Sequence, residues 1–543
     1  MFFFSLIILG QSIAFTFSPI FLTKPKVNRQ KKSYVSRHSR SEPKKGPCYE
    51  SLYHSDEKDE YLQITGEKPD WLQGSLIRVG PGMFKFGENE EVSCWFDGQA
   101  MLCRFEFSEK GIHYSNRFLD TKNIREHLKH GKVSALEFGS CPEDLKNNGK
   151  QVPNPEKIIR RLRLSSQEYE NNNVNCFALG NHTVALSETK TYVEFNPKTL
   201  ETQGVLKDSE TKCHLGTAHP LLSNTDNTVY TIGSNLLERS YVISSLRSSE
   251  EEIVENELCT IQKENISYMH SFAITQDHII LIEFPYILRP LSKIILDKLN
   301  FILTGFFNQD GLNTFYSWQP EEGTSFLVLS KETGELIGRW HTKESFFAFH
   351  LLNAFIDKDS NLSIDLASYD KPFYDKLDLA TLRENSETVD HLKEGSIKRC
   401  KLKLEDPSQE VLIDDMINRM VEMPSWNGNY QGLEYKYCYG ISIPENQEES
   451  NKNTLISLLI KVDLKTKEKK IWKESYCAPG EPIFVPNPDA SKEDDGVIMS
   501  LVFDNRINKS FLLLLDATSF EEIGRAILPN SIPAGIHGQW FDH

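Results

Sequence analysis

The stretch YVEFNPKTLETQGVL, residues 192–206, runs from an apolar strand through a polar turn into a second strand, and the pattern recurs. FLVLSKETGELIGR (326–339), LIKVDLKTKEKKIW (459–472) and FLLLLDATSFEEIGRA (511–526) share that order. In each, apolar and β-branched residues stop at a turn holding Thr with an acid or lysine, then resume. Each predicts a hairpin at the outer edge of a four-stranded blade. Their irregular spacing excludes a WD40-type array of fixed period. Distant hairpins of one kind still favour radial repetition over a doubly wound sheet. On this reading the chain is all-β, a large propeller or a sandwich.

Outward from these hairpins, short runs of Val, Ile, Leu, Phe and Tyr alternate with Asn, Asp, Gly and Pro, as strands and turns require. Segments 120–170 and 370–420 are charged and contain helix-compatible stretches such as Ile124–Lys132, so both are predicted to be long insertions on one face. Segment 283–307, EFPYILRPLSKIILDKLNFILTGFF, is apolar with Arg289, Lys293 and Lys298 interspersed. It reads either as a buried helix or loop, or as a patch that meets a lipid surface, cations near head groups and large apolar side chains among acyl chains.

Composition narrows the function. With 39% hydrophobic and 25% charged residues the chain has the make-up of a soluble globular protein. Residues 1–45 carry nine Lys/Arg and one acid, Glu42, which leaves 52 bases against 76 acids in the remainder. A body that acidic repels nucleic acid, so no nucleic-acid partner is expected. Ten cysteines without a C-x-x-C pair predict reduced, mostly buried thiols rather than disulfides or a zinc site. Residues 2–23 lack charge and precede the basic run Lys24 to Lys45. They read as a cleaved signal, an anchor or a transit peptide, and residues 1–45 are expected to lie outside the fold, with 46–543 as one domain. A membrane-associated intracellular location, cytosolic or mitochondrial, is favoured, with targeting to the secretory pathway as the alternative.

Four of the fifteen histidines sit among small or apolar residues in strand-like runs: His219 (GTAHPLL), His270 (ISYMHSFAI), His350 (FFAFHLLNAF) and His537 (IPAGIHGQW). Others, including His127, His130 and His391, stand in charged company. A buried imidazole needs a hydrogen-bonding partner or a metal. Separations of 51, 80 and 187 residues match no local metal motif. Only a closed ring of strands would bring all four to one axis.

The block Gly74-Ser75-Leu76-Ile77-Arg78-Val79-Gly80-Pro81-Gly82-Met83-Phe84, followed by WFDGQAML at 95–102, resembles the opening of carotenoid cleavage oxygenases. So do TAHP (217–220), SYMHSFAIT (267–275), FFAFHLLNAF (346–355), GEPIFVPNPDASKEDDGVIMS (480–500) and IPAGIHG (532–538), in family order from about residue 50 onward. The likeness is greatest to the animal branch of carotene oxygenases and retinoid isomerohydrolases. It implies a seven-bladed β-propeller with helical and loop insertions capping one face. It further implies that His219, His270, His350 and His537 hold Fe(II), with Glu188, Glu422 and Glu481 accepting the far ring protons of His270, His350 and His537 in turn.

The resemblance implies an Fe(II)-dependent dioxygenase that uses O2 to cleave a conjugated double bond of a carotenoid such as β-carotene, giving retinal or other apocarotenoid aldehydes or ketones. A retinoid isomerohydrolase and a non-catalytic carotenoid or retinoid carrier are the alternatives on the same fold. Four neutral imidazoles suit Fe(II), and carboxylates behind them fix tautomer and raise basicity. Peripheral membrane contact is expected, because the substrate lives in lipid. Gly80-Pro81-Gly82 and Asp97-Gly98 read as architectural turns, and Arg78 as an anchor of a turn or blade interface. Departures from the relatives are Cys94 and Cys103 in place of histidines, Pro153-Asn154-Pro155-Glu156-Lys157 without the usual cysteine, and Ser187 and Ile536 beside site residues.

Overall fold

The computed structural model describes residues 47–53, 61–88, 90–134, 137, 139–140, 170–207, 213–249, 252–289, 316–374, 377–384, 394–445 and 457–542. The basic N-terminal segment 1–45, the Pro153–Lys157 stretch, His391 and most of the 283–307 patch lie outside them. Among the described residues, seven of the eight antiparallel sheets follow one another along the chain as blades of a β-propeller. Six begin with the strand nearest the axis and step outward. Blade II is typical: Asn175–Leu179, His182–Leu186, Thr191–Phe195, Thr202–Lys207. First strands of neighbouring blades adjoin, as Ala273–Ile274 does Leu351–Ile356, and Leu351–Ile356 does Glu422–Ser425.

Blades I and VII close the ring with strands borrowed from the far ends of the chain. The C-terminal strand Gly538–Phe541 takes the innermost place of blade I, pairing with Gly74–Met83 in the register Arg78↔Gly538. Near the N-terminus, Tyr61–Leu62 adds an outer strand to blade I and Ile64–Gly66 adds one to blade VII. Pairing both ends leaves fewer open sheet edges at the seam.

The four predicted hairpins are the third and fourth strands of blades II, IV, VI and VII, and all four use one turn. The amides of Leu200, Gly334, Lys467 and Phe520 donate to the carbonyls of Asn196, Ser330, Asp463 and Asp516, four residues earlier, at 2.7–2.9 Å. The side chain of that earlier residue also accepts from amides inside the turn, as Asn196 Oδ1 does from Lys198 and Thr199 and Asp463 Oδ1 from Lys465 and Thr466. Each turn closes on a residue at positive φ: Leu200, Gly334, Lys467 and Phe520. Asn, Asp or Ser at the start is therefore the element that the sequence pattern was reporting.

The unbroken FLLLL run has its explanation in blade stacking. Strand Lys509–Asp516 is packed on both faces, and successive side chains point to opposite faces. Leu512 and Leu514 join Phe105 and Phe107 of blade I, whereas Phe511, Leu513 and Leu515 join Tyr439 and Leu459 of blade VI. A strand between two blades is apolar throughout.

Several local expectations need correcting. Gly80-Pro81-Gly82 is no turn but lies within strand Gly74–Met83, where a bulge between Pro81 and Met83 accommodates the proline. Gly80 is required there, because a Cβ would sit 2.5 Å from the Gly535 Cα. Segment 370–420 is only partly an insertion: it holds the helix Leu379–Glu384, but Ser396–Lys403 and Leu412–Ile417 are the outer hairpin of blade V, whose alternating charges mark a solvent-facing sheet. In segment 120–170 the predicted helix spans Lys122–His130 and ends at Gly131 in the left-handed conformation. His127 on that helix is fully buried, bonded to Glu137 at 3.0 Å, although its neighbours in sequence are charged. The described part of 283–307 is core: Tyr286–Leu288 is buried and pairs with Tyr316–Trp318. Nine described cysteines are unbridged and seven are buried, as reduced thiols should be.

Candidate metal centre

His219, His270, His350 and His537 all precede or interrupt the innermost strand of a blade, so ring closure delivers them to the axis. His219 lies between Leu215–Gly216 and Leu221–Leu222, His270 ahead of Ala273–Ile274, His350 immediately before Leu351–Ile356, and His537 immediately before Gly538–Phe541. Their rings meet. Centroids of His219 lie 4.7, 5.2 and 4.7 Å from those of His270, His350 and His537. The Nε2 atoms of His219 and His270 are 3.1 Å apart, and those of His350 and His537 3.2 Å.

Behind three of the rings stand the three glutamates, in the pairing the resemblance implied. Glu188 is 2.5 Å from His270 Nδ1, Glu422 2.5 Å from His350 Nδ1, and Glu481 2.7 Å from His537 Nδ1. His219 has no carboxylate behind it among the described residues. Glu422 begins the first strand of blade VI, and Glu481 sits between the two short first strands of blade VII. An ionised carboxylate only accepts, so each Nδ1 carries the proton and each facing Nε2 carries a lone pair. At His350 and His537 two such lone pairs are opposed at 3.2 Å, and they repel unless a cation lies between them. This donor set therefore fits a divalent metal ion bound by neutral imidazoles.

The electrostatics agree. Burial, with the three neighbouring imidazoles, holds His219 well below the usual histidine range. Burial also lowers His537, against the opposing pull of Glu481. For Glu422, burial alone would raise the carboxyl, but the charge and hydrogen bond of His350 and the Met423 amide hold it below its ordinary value. Neutral His219 and His537 and an ionised Glu422 are the protonation states a metal requires.

The rings border an apolar cavity of about 260 Å³. His270, His350 and His537 line it together with Trp95, Tyr268, Phe349, Phe373, Tyr374 and Met420. Ser187 and Ile536, the positions that depart from relatives, are in its wall, while Cys94 and Cys103 are buried elsewhere. Glu474, Cys477 and Asp504 form another cluster of metal-compatible groups. Arg506 and Arg525 already bond to it, with Arg506 Nη2 2.7 Å from Asp504 and Arg525 Nη2 2.6 Å from Glu474, so cations of the chain itself fill that role.

Two supporting residues were missed in the sequence. Tyr268 donates its hydroxyl to Glu188 and lies 3.3 Å from His270 Nδ1. Its place two residues before His270, on one face of an extended chain, was the available signal. Thr217 donates to the His270 carbonyl at 2.6 Å and accepts from the His219 amide at 3.0 Å, tying two of the histidine segments together.

The retinal pigment epithelial membrane protein (RPE65) family model matches residues 53–542. Among curated proteins, the mitochondrial carotenoid-cleaving dioxygenase of Macaca fascicularis is 30% identical, over 88% of this chain and 91% of its own length. The β,β-carotene 15,15'-dioxygenase of Gallus gallus is 28% identical over 88% and 95%. Of solved structures, the cobalt-substituted apocarotenoid oxygenase of Synechocystis superposes with a TM-score of 0.74 at 24% identity, covering 92% of this chain and 98% of that one, a likeness of fold. With the family model spanning nearly the whole propeller, the chain belongs to the RPE65 family of carotenoid oxygenases.

Proposed function

We propose that the chain is an Fe(II)-dependent dioxygenase that cleaves one conjugated double bond of a carotenoid, β-carotene or an apocarotenoid, to retinal or related aldehydes or ketones. One observation carries the reading: four imidazoles, three pinned by carboxylates, face one point beside an apolar cavity. His219, His270, His350 and His537 would hold the ion, which when bound supplies the activation of O2. Glu188, Glu422 and Glu481 keep the Nδ1 protons and fix ring orientation. Phe349, Phe373, Tyr374 and Trp95 offer flat apolar surface to a polyene, exclude water and limit how far it slides. Among the described residues, the cavity wall shows no nucleophile paired with a base, and oxidative cleavage does not need one.

The test is anaerobic reconstitution with Fe(II), followed by β-carotene under isotopically labelled O2. Labelled carbonyl products support the proposal. Unlabelled retinol from a retinyl ester would point to isomerohydrolysis, and tight binding without turnover to a carrier.

Membrane docking through 283–307 belongs to the same proposal, since a carotenoid partitions into lipid. Ile295→Asp, Leu299→Asp and Phe301→Asp together should release the protein from liposomes; unchanged cosedimentation would count against it. A mitochondrial location is supported by the relatives' names and by nine bases against one acid in residues 1–45. A fusion of those residues to a fluorescent protein, imaged in cells, tests it.

A further inference from the structure

The three glutamates are not equivalent, and Arg78 makes the difference. Its side chain is buried, 3% exposed, inside the seam where the ring closes. Nη1 donates to Glu481 Oε2 and to the Glu481 carbonyl, both at 3.2 Å, and Nη2 donates to the Ile536 carbonyl at 3.1 Å. The other oxygen of Glu481 accepts from His537 Nδ1, and Ile536 is the residue before His537. One guanidinium thus grips both the carboxylate behind the ring and the backbone that carries it. Three segments meet there: blade I supplies Arg78, blade VII Glu481, and the segment just ahead of the C-terminal strand His537.

Gly480 and Gly535 lie against the guanidinium, where a Cβ on either would make only ordinary contact with Nη2 at 3.8 Å. At Gly538 a Cβ would fall 2.7 Å from the Arg78 Cγ. Backbone bonds flank it, Ile536 N to Val79 O at 3.0 Å and Val79 N to His537 O at 2.8 Å. Glu188 instead receives the neutral Tyr268 hydroxyl, and Glu422 the Met423 amide at 2.8 Å. The carboxylates contribute three negative charges and Arg78 returns one positive charge. With neutral imidazoles the residual charge balances a dication and not a trication.

We infer that Arg78 is a positioning residue that seats His537 and sets the net charge of the centre to favour a divalent over a trivalent ion. The inference rests on the metal reading of the site but not on which bond is cleaved. Buried charge acts at a distance through weak screening, so neutralising Arg78 should favour Fe(III) over Fe(II) by on the order of tenfold. Arg78→Lys keeps the charge but loses the fork that spans two acceptors.

The experiment uses full-length wild type, Arg78→Gln and Arg78→Lys, with three readouts besides turnover: Co(II) affinity and absorption spectrum, the iron midpoint potential, and the melting temperature of the metal-free protein. Arg78→Gln is expected to change the Co(II) spectrum and shift the potential to more negative values. Arg78→Lys is expected to restore the potential while the spectrum stays altered. If Arg78→Gln does not fold, Arg78→Lys carries the test alone: a wild-type spectrum and Co(II) affinity would overturn the positioning role. A folded Arg78→Gln with wild-type potential would overturn the charge role. A wild type that binds neither metal would sink the site reading itself, whereas intact binding without carotenoid cleavage would sink only the proposed reaction.

Discussion

At the rim of the propeller, Asp463 gathers the amides of Lys465 and Thr466 within one hairpin. At the axis, His537 is held by Glu481, 56 residues away in sequence, which is itself held by Arg78 at a separation of 403. The rim is specified by neighbours in the chain, and a fault there stays local. The axis is specified by closure of the whole ring, so its chemistry depends on residues that no local motif joins. Rim substitutions should therefore cost stability and spare the metal; axis substitutions should do the reverse.

The largest effect is expected from His350→Ala, which removes one of four imidazoles and leaves Glu422 without its ring; metal binding should be lost in equilibrium dialysis while the fold persists by circular dichroism. Glu422→Gln keeps the shape and removes the charge behind His350, and should weaken metal affinity by about 10–100-fold in competition titration. Leu513→Ala, between blades VI and VII, should lower stability by about 2–5 kcal/mol in urea denaturation and leave the affinity of the folded protein unchanged.

Metal-free protein should lose stability as pH falls from about 7 toward 5. His219 and His537 are depressed in the folded state, so the unfolded chain binds more protons there and stability rises with pH. Each histidine contributes at most about 1.4 kcal/mol per pH unit in that window, read from urea midpoints at several pH values. The smallest effect is Asp463→Ala at the rim, about 1 kcal/mol with no change in metal affinity. Equal damage to metal binding from Leu513→Ala or Asp463→Ala would erase the contrast between rim and axis.

The same contrast explains what the sequence made legible. Asn196, Ser330, Asp463 and Asp516 announce their hairpins because the turn is made by the residues that spell it. The histidines stood out by their apolar surroundings, but their convergence was legible only through the family resemblance, since spacing carries no information about a closed ring. Local reading misjudged Gly80-Pro81-Gly82, whose glycine serves a contact with Gly535 some 450 residues away. His127, which stands in charged company in the sequence, is buried against Glu137. Segment 370–420 reads as an insertion in the sequence because the outer blade strands Ser396–Lys403 and Leu412–Ile417 have the charge pattern of a loop. Tyr268 and Arg78 were visible as residues and invisible as partners, because their acceptors arrive from other blades.

The central claim is that the ring gathers four imidazole nitrogens about one ion. X-ray absorption at the iron edge, on protein loaded anaerobically with one equivalent of Fe(II), addresses it directly. One ion per chain is expected, with four histidine nitrogens and no sulfur around it. Sub-stoichiometric iron, or a spectrum showing a sulfur neighbour such as Cys477, would contradict it.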